Sequence, residues 1–272
     1  MSMGMTLPAN IKALILDMDG VLWQDNQPLL DMPPFFTALK EIGMPVVFAT
    51  NNGTRSVSMY VDRLAGFGVT VEPWQVVNSA IAVADYLSKE FPQGGPVCVV
   101  GEAGVIEALN EKGFHLAQVH EDVLAVVAGM DRAMTYEKLA RAALLIRAGK
   151  PFLGTNPDLT FPTPHGLVPG AGATLAFLEA ATSVHPVIIG KPEAYLYHFA
   201  LERLGTQPNE TLAVGDRLDT DILGGQRAGL PTALVLSGVT SEVDAARWNP
   251  PPDLILPNLA DLLPLLVKHL QH

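Results

Sequence analysis

The chain has 272 residues, of which 49% are hydrophobic and 17% are charged, and its formal net charge is −11. This composition excludes an intrinsically disordered chain, and the length suits one large domain or two smaller ones. An acidic surface argues against nucleic acid as the main partner, because phosphate backbones are bound by clusters of Lys and Arg, which the sequence lacks.

The cysteine content and the hydropathy pattern bear on the compartment. Cys98 is the only cysteine, so no intrachain disulfide can form, and its apolar surroundings predict a buried structural thiol. No apolar stretch reaches the roughly 18 residues that a membrane-spanning helix needs, and residues 1–10 lack the pattern of a signal peptide. We therefore expect a cytoplasmic protein with no membrane partner.

Short apolar runs rich in Val, Ile, Leu and Ala alternate along the chain with stretches of helical periodicity. Within the runs, apolar and polar residues do not alternate, which is typical of parallel strands covered on both faces. The predicted strands cover residues 11–16, 45–49, 96–100, 124–128, 151–154, 186–189, 211–214 and 232–236. The predicted helices cover residues 33–42, 80–90, 136–147, 173–181, 193–204, 221–228 and 259–270. This alternation predicts an α/β fold built on a parallel sheet.

Four of the predicted strands end in polar residues. Asp17 follows the first strand and Thr50 follows the second, while Lys191 and Asp216 come one glycine after the sixth and the seventh. Ligands of open α/β sheets bind beyond the carboxyl ends of the strands. These four residues could therefore converge on one site.

Asp17 and Asp19 lie two positions apart, where an extended chain would point both carboxylates the same way. Two carboxylates side by side in an apolar setting repel each other, and a bound divalent cation relieves that repulsion. Mg²⁺ suits such hard oxygen ligands, and Asp216 can supply another. Gly20 lets the chain turn sharply after the pair. For Asp219 the pattern favours a role as a helix cap or as a partner of the helix dipole.

Other polar residues near these strand ends have structural alternatives that the sequence leaves open. Thr50, Asn51 and Asn52 can cradle a phosphate, although Asn-Asn-Gly is also a common turn. Lys191 could neutralise phosphate charge or be an ordinary exposed lysine. Asp221 could orient that lysine or cap the helix that begins there.

The sequence resembles the haloacid dehalogenase (HAD) superfamily, whose four motifs match Asp-Met-Asp-Gly-Val at 17–21, Thr50, Lys191, and Gly-Asp at 215–216 with Asp221. Gly-Thr-Asn-Pro-Asp at 154–158 and Pro-Gly-Ala-Gly-Ala at 169–173 are similar to the NagD-type, or 4-nitrophenylphosphatase, branch. The long interval between the second and third motifs leaves room for an inserted domain. The resemblance implies a Rossmann-like core, residues 1–79 and 183–272, and a large α/β cap, residues 80–182. Hinges are expected near residues 78–79 and 182–183.

The resemblance also implies a Mg²⁺-dependent phosphatase that works through an aspartyl-phosphate. Asp17 would be the nucleophile, and Asp19 would protonate the leaving alcohol and then activate water. Mg²⁺ would be held by the Asp17 carboxylate, the Asp19 main-chain carbonyl and Asp216. Asp221 would lie next to these ligands without binding the metal itself. Thr50 and Lys191 would hold the phosphoryl oxygens, and the cap would close over the site and choose the leaving group.

Several properties stay open at this point. Asn156 and Asp158 in the cap are expected to contact substrate, although they could equally be turn formers. A phosphotransferase or mutase with the same intermediate is the alternative function, and a non-catalytic binding module is a third. The substrate would be a small phosphorylated metabolite: a sugar phosphate, a nucleoside monophosphate, phosphoglycolate, glycerol phosphate or pyridoxal phosphate. The family resemblance suggests a homodimer formed through the cap.

Overall fold

The computed structural model describes residues 7–163 and 165–270. Residues 1–6, on which much of the signal-peptide prediction rests, lie outside the described residues. The strands, numbered in chain order, are β1 (Ala13–Leu16), β2 (Trp23–Gln24), β3 (Gln27–Pro28), β4 (Val46–Thr50), β5 (Val76–Asn78), β6 (Gly95–Val100), β7 (Phe114–Leu116), β8 (Val126–Ala128), β9 (Phe152–Gly154), β10 (Thr160–Thr163), β11 (Gly166–Pro169), β12 (Val187–Ile188), β13 (Thr211–Gly215), β14 (Thr232–Val235) and β15 (Leu254–Leu256).

Helices alternate with these strands along most of the chain. They are α1 (Met32–Glu41), α2 (Val57–Gly66), α3 (Ser79–Glu90), α4 (Ala103–Glu111), α5 (Tyr136–Arg147), α6 (Ala171–Thr182), α7 (Ala194–Leu204), α8 (Leu223–Arg227), α9 (Glu242–Arg247) and α10 (Leu262–His269). A π-helical turn, Leu218–Ile222, leads directly into α8. Within the described residues, no helix is both long enough and apolar enough to cross a lipid bilayer.

The chain divides into two compact units. The first unit comprises the described residues up to Thr50, Tyr60–Val77, and those from Pro192 onward. The second unit comprises Asn51–Met59 and Asn78–Lys191. The cap expected at residues 80–182 lies inside the second unit, which also takes in residues 51–59 and 183–191. The exact domain boundaries stay a prediction.

The sheet of the first unit, as far as the described residues show it, has six strands in the order β15-β14-β13-β1-β4-β5. β1 is a central strand of four buried apolar residues, as expected for a strand covered on both faces. It runs parallel to both of its neighbours, and in this register Leu16 lies beside Val214 of β13 and Phe48 of β4. The carboxyl ends of β13, β1 and β4 therefore lie side by side.

The second unit contains a parallel sheet with the order β12-β9-β8-β6-β7 among its described strands, and an antiparallel hairpin of β10 and β11. Asn78 begins α3 by accepting a hydrogen bond from Ile81 N, and Thr135 begins α5 by accepting one from Lys138 N, which satisfies N–H groups that the helices leave open. Cys98 is buried in this unit's apolar core. Burial raises the pKa of its thiol, an effect that nearby Arg141 partly offsets, so the predicted structural thiol is confirmed.

The predicted α/β class with parallel sheets is confirmed. Each predicted strand and helix is present, with bounds shifted by a few residues. Two helices begin differently from the prediction: the one expected from residue 221 begins as the π-helical turn, and the one expected from residue 259 begins as a 3-10 turn, Leu259–Asp261. The elements without a prediction are mostly short or exposed: the hairpins β2–β3 and β10–β11, β5, β7 and β15, and the helices α2, α4 and α9.

Candidate active site

Three carboxylates meet at the carboxyl edge of the first unit's sheet. The main-chain N–H of Asp17 donates to Val214 O over 2.8 Å, which extends the pairing of β1 with β13 by one residue. Asp17, Asp216 and Asp221 each offer an oxygen, and these oxygens lie within 4.8 Å of one another. Asp216 and Asp221 are buried, and Asp17 is half-buried. Negative charge at this density, with little water, requires a cation or bound protons.

The donor set fits a divalent cation. All the atoms on offer are carboxylate oxygens, the ligand type that hard cations such as Mg²⁺ prefer, and the cluster found among the described residues includes no His or Cys. The three residues could therefore hold a divalent metal ion. The family resemblance implied that Asp221 does not bind the metal directly. In the structure its carboxylate offers an oxygen within 4.8 Å of those of Asp17 and Asp216, just as those two lie within 4.8 Å of each other. The Asp19 main-chain carbonyl stays a predicted ligand.

The carboxylate of Asp216 lies in a cradle of main chain. Its Oδ2 accepts a hydrogen bond from Val239 N over 2.8 Å. A Cβ placed on Gly20 would lie 2.4 Å from this oxygen, and one on Gly238 would lie 2.0 Å from it. Gly20 also has a φ of +84°, which side chains rarely adopt. Both glycines are therefore needed for the position of this carboxylate.

Asp221 is held by the π-helical turn. Its Oδ2 accepts from the main-chain N–H of Arg217 over 3.0 Å, and its main-chain oxygen accepts from the Tyr197 hydroxyl over 2.9 Å. A π-helical turn is a frequent feature of functional sites. Asp219 lies in the same turn, but its exposed carboxylate pairs with the Arg217 guanidinium at 2.9 Å, so it takes a surface role.

Asp19 and Thr50 complete the predicted residues of the first unit. Asp19 is exposed, and its Oδ1 accepts a hydrogen bond from the indole N–H of Trp23 over 2.8 Å. Thr50 is the last residue of β4 and is 3% exposed. Because β4 is the neighbour of β1, Thr50 ends at the same edge of the sheet as Asp17.

The other predicted residues form a hydrogen-bonded group in the second unit. The Asn51 side chain accepts from Lys191 N over 2.8 Å and donates to Lys191 O over 2.9 Å. It also donates to Asp158 Oδ2 over 3.0 Å. A Cβ on Gly190 would lie 2.7 Å from Asn51 Oδ1, so glycine is needed for this approach. The carboxamide of Asn51 thus fixes the main chain on both sides of the Lys191 Cα.

Asn156 and Asp158 belong to the same group. Asn156 Nδ2 donates to Asn51 O over 2.7 Å and to Asp158 Oδ2 over 3.1 Å. Asn52 accepts from the N–H and the hydroxyl of Thr54, the turn that the sequence offered as its alternative. Phosphate binding by Asn51 and Asn52 and substrate contact by Asn156 and Asp158 stay predictions.

The position of Lys191 settles one of the alternatives for that residue. Lys191 is only 2% exposed, so it is not an ordinary surface lysine. A buried ammonium group is costly unless anions or dipoles surround it. The burial of Lys191 therefore agrees with the other alternative, in which its charge neutralises a bound phosphate.

Among the residues that contact the site without a sequence prediction are Trp23, Gly238 and Val239. Ser-Gly-Val-Thr at 237–240 follows β14 just as the predicted polar segments follow their strands, and that position was the available signal. The Ser237 hydroxyl donates to Gly20 O over 2.8 Å, which ties this loop to the turn after β1. For Trp23 the sequence carried no signal beyond its closeness to Asp19.

The chain is similar to known phosphatases of one hydrolase family. The family described as "Haloacid dehalogenase-like hydrolase" matches residues 14–115, and one described as HAD-hydrolase-like matches residues 188–262. The "5'-nucleotidase YutF" of Bacillus subtilis is 35% identical over 94% of this chain and 98% of its own length. An "Acid sugar phosphatase" of Staphylococcus aureus is 37% identical with the same coverage.

A solved structure gives the same assignment. NagD from Escherichia coli K-12 aligns with a TM-score of 0.86 and 34% identity, over 93% of this chain and 98% of its own. The predicted HAD resemblance, its NagD-type branch and the enzyme class of phosphatase are confirmed. The chain belongs to the haloacid dehalogenase-like hydrolase family.

Proposed function

We propose that this enzyme hydrolyses small phosphomonoesters in the presence of Mg²⁺, through an aspartyl-phosphate formed on Asp17. The observation that carries the proposal is the group of three carboxylates within 4.8 Å of one another at the carboxyl edge of the sheet. A bound Mg²⁺ would offset the charge of these carboxylates and of the substrate phosphate, so that a carboxylate can approach a phosphate dianion.

In the first step, Asp17 attacks phosphorus and the bond from phosphorus to the leaving oxygen breaks. Asp19 gives its proton to that oxygen, so an alcohol departs. In the second step, Asp19 takes a proton from water while the water oxygen attacks phosphorus. The bond between Asp17 and phosphorus then breaks, and inorganic phosphate leaves. Thr50 and Lys191 are the proposed partners of the phosphoryl oxygens, because phosphoryl transfer depends on positioning and charge stabilisation.

The relatives suggest two substrate classes, nucleoside monophosphates and sugar phosphates. We take small phosphorylated metabolites of these kinds as the proposed substrates, with phosphoglycolate, glycerol phosphate and pyridoxal phosphate as further members of a test panel. Selection among them is assigned to the second unit. A cytoplasmic location and a homodimer stay predictions.

The decisive experiment compares Asp17→Asn with Asp219→Asn, because both variants lose one carboxylate from the same unit. Release of inorganic phosphate would be measured with 4-nitrophenyl phosphate and with the metabolite panel, with Mg²⁺ and after its removal by a chelator. We expect Asp17→Asn and metal removal to abolish turnover, since each step passes through the Asp17 carboxylate or needs its charge offset. Asp219→Asn should keep near wild-type turnover, because its exposed carboxylate pairs with the Arg217 guanidinium, which is exposed as well. Wild-type turnover by Asp17→Asn would disprove the assignment of the nucleophile.

A further inference from the structure

We propose that Trp23 is a positioning residue for Asp19, and that its indole N–H fixes which oxygen of the Asp19 carboxylate carries the transferred proton. The inference rests on the proposed function, in which Asp19 is the general acid and then the general base.

The hydrogen bond joins a rigid donor to an exposed acceptor. Trp23 Nε1 donates to Asp19 Oδ1 over 2.8 Å; the Trp23 side chain is fully buried, whereas Asp19 is exposed. The main chain ties the same two segments together, because Gly20 N donates to Trp23 O over 2.7 Å and Trp23 N donates to Met18 O. An exposed carboxylate is thereby held at one of its oxygens by a buried donor.

Two side chains, Phe67 and Arg63, pack against the indole ring. Phe67 stacks on it with ring centroids 5.8 Å apart, and the Arg63 guanidinium lies 4.1 Å from the ring centroid. Arg63 also donates a hydrogen bond to the main-chain oxygen of Asp25, in the turn between β2 and β3. Stacking and cation–π contacts of this kind restrict the ring without competing for its N–H.

The indole N–H determines which oxygen of the Asp19 carboxylate can carry a proton. An indole N–H donates and never accepts, and it stays protonated near neutral pH. Asp19 Oδ1 therefore stays an acceptor in both protonation states of the carboxyl group. The proton that Asp19 gives to the leaving oxygen, and later takes from water, is left to Oδ2. Trp23 thus selects the reacting oxygen and limits rotation of the carboxylate about its terminal bond.

The test separates loss of the N–H from loss of the ring. The sharpest variant replaces Trp23 by its benzothienyl isostere, which keeps the size and shape of the ring and has sulfur in place of N–H. Trp23→Phe is the simpler companion. The matched control is Trp248→Phe, since the buried indole nitrogen of Trp248 has no hydrogen-bond partner among the described residues.

The assay compares kcat/KM for phenyl phosphate and 4-nitrophenyl phosphate, because phenolate leaves poorly without a proton and 4-nitrophenolate leaves well. General acid catalysis contributes about 10²–10⁴-fold, and misplacing the acid should forfeit part of it. We expect the isostere to lose about tenfold or more on phenyl phosphate and less than about threefold on 4-nitrophenyl phosphate. Trp248→Phe should leave the ratio of the two values at its wild-type level.

Asp19→Asn, measured on the same pair, distinguishes failure of this inference from failure of the proposed function. If Asp19→Asn strongly reduces phenyl phosphate turnover while the isostere keeps the wild-type ratio, the role of Trp23 is refuted and that of Asp19 stands. An equal loss on both substrates would make Trp23 a structural residue only and also refutes the inference. If Asp19→Asn itself leaves phenyl phosphate turnover unchanged, the proposed function fails and the inference falls with it.

Discussion

Gly238→Ala tests how tightly the main chain defines the position of Asp216. The added methyl carbon would lie 2.0 Å from Asp216 Oδ2 and 2.5 Å from its Cγ, whereas ordinary contacts begin near 3.4 Å. Relief requires a movement of more than about 1 Å in the loop or the carboxylate, which would also break the 2.8 Å hydrogen bond from Val239 N. A displacement of about 1 Å within a catalytic site costs on the order of 10²-fold in rate, and Asp216 is a candidate metal ligand of that site.

We therefore expect Gly238→Ala to lower kcat/KM by about 100-fold and to raise the Mg²⁺ concentration needed for half-maximal activity. The fold should lose about 1–3 kcal/mol, the usual effect of overpacking. Phosphate release would be titrated against Mg²⁺ at a temperature well below the unfolding midpoint, with that midpoint measured by circular dichroism.

Gly66→Ala is the control for this prediction. Gly66 is the last residue of α2, and a Cβ there meets nothing within 4 Å. Alanine should leave activity unchanged and add up to about 1 kcal/mol of stability, because it is the better helix former. Wild-type kcat/KM and an unchanged Mg²⁺ midpoint in Gly238→Ala would refute the idea that this cradle sets the metal-binding geometry.

Two further predictions concern the second unit. Asn51→Ala removes both hydrogen bonds to the Lys191 main chain. Steady-state kinetics should therefore show a KM for 4-nitrophenyl phosphate that is raised about tenfold. The control, Asn52→Ala, loses the hydrogen bonds of a local turn and should change this KM little. Arg132 holds the pKa of the Glu102 carboxyl below its usual range, so this pair stabilises the fold above that range and the gain is lost as the pH falls through the lowered pKa. Glu102→Gln should thus lower the free energy of unfolding at pH 7 by less than about 1 kcal/mol, because Arg132 is largely exposed. At pH 3 the variant and the wild type should have the same free energy of unfolding. A difference that persisted at pH 3 in denaturant titrations would contradict the ion-pair explanation.

The sequence predicted the elements whose signal is local and strong. β1 is an uninterrupted apolar run and β13 is apolar after its first residue, while α5 has both the 3.6-residue periodicity and a Thr cap at its first turn. The shared edge of β1, β4 and β13 was also predicted, because a polar residue follows the predicted strand in each case. The hairpin of β10 and β11 was missed because Pro and Thr give neither clear alternation nor an apolar run.

The residues that sequence reasoning could not reach depend on contacts between distant segments. Gly238 matters because it lies against Asp216, which is 22 positions away, and nothing in its immediate neighbours marks it. Asn51 reads as a phosphate-binding or turn residue, and only the fold brings Lys191 onto both ends of its carboxamide. Such roles are set by tertiary packing, which local propensity does not encode.

Asp17 and Asp19 make different contacts, although the rule for an extended chain predicted that their carboxylates would point the same way. Spacing by two places side chains on one side of an extended chain, but β1 ends at Leu16, and residues 18–23 fold back through hydrogen bonds to Met18 O. Asp17 therefore joins the two buried carboxylates of Asp216 and Asp221, while Asp19 stays exposed and accepts a hydrogen bond from the Trp23 indole. The first environment favours a charged group kept in place by a cation, and the second lets a carboxyl group exchange protons with water. In the proposed mechanism these two identical side chains serve as nucleophile and as acid–base, and the turn after β1 gives them different surroundings.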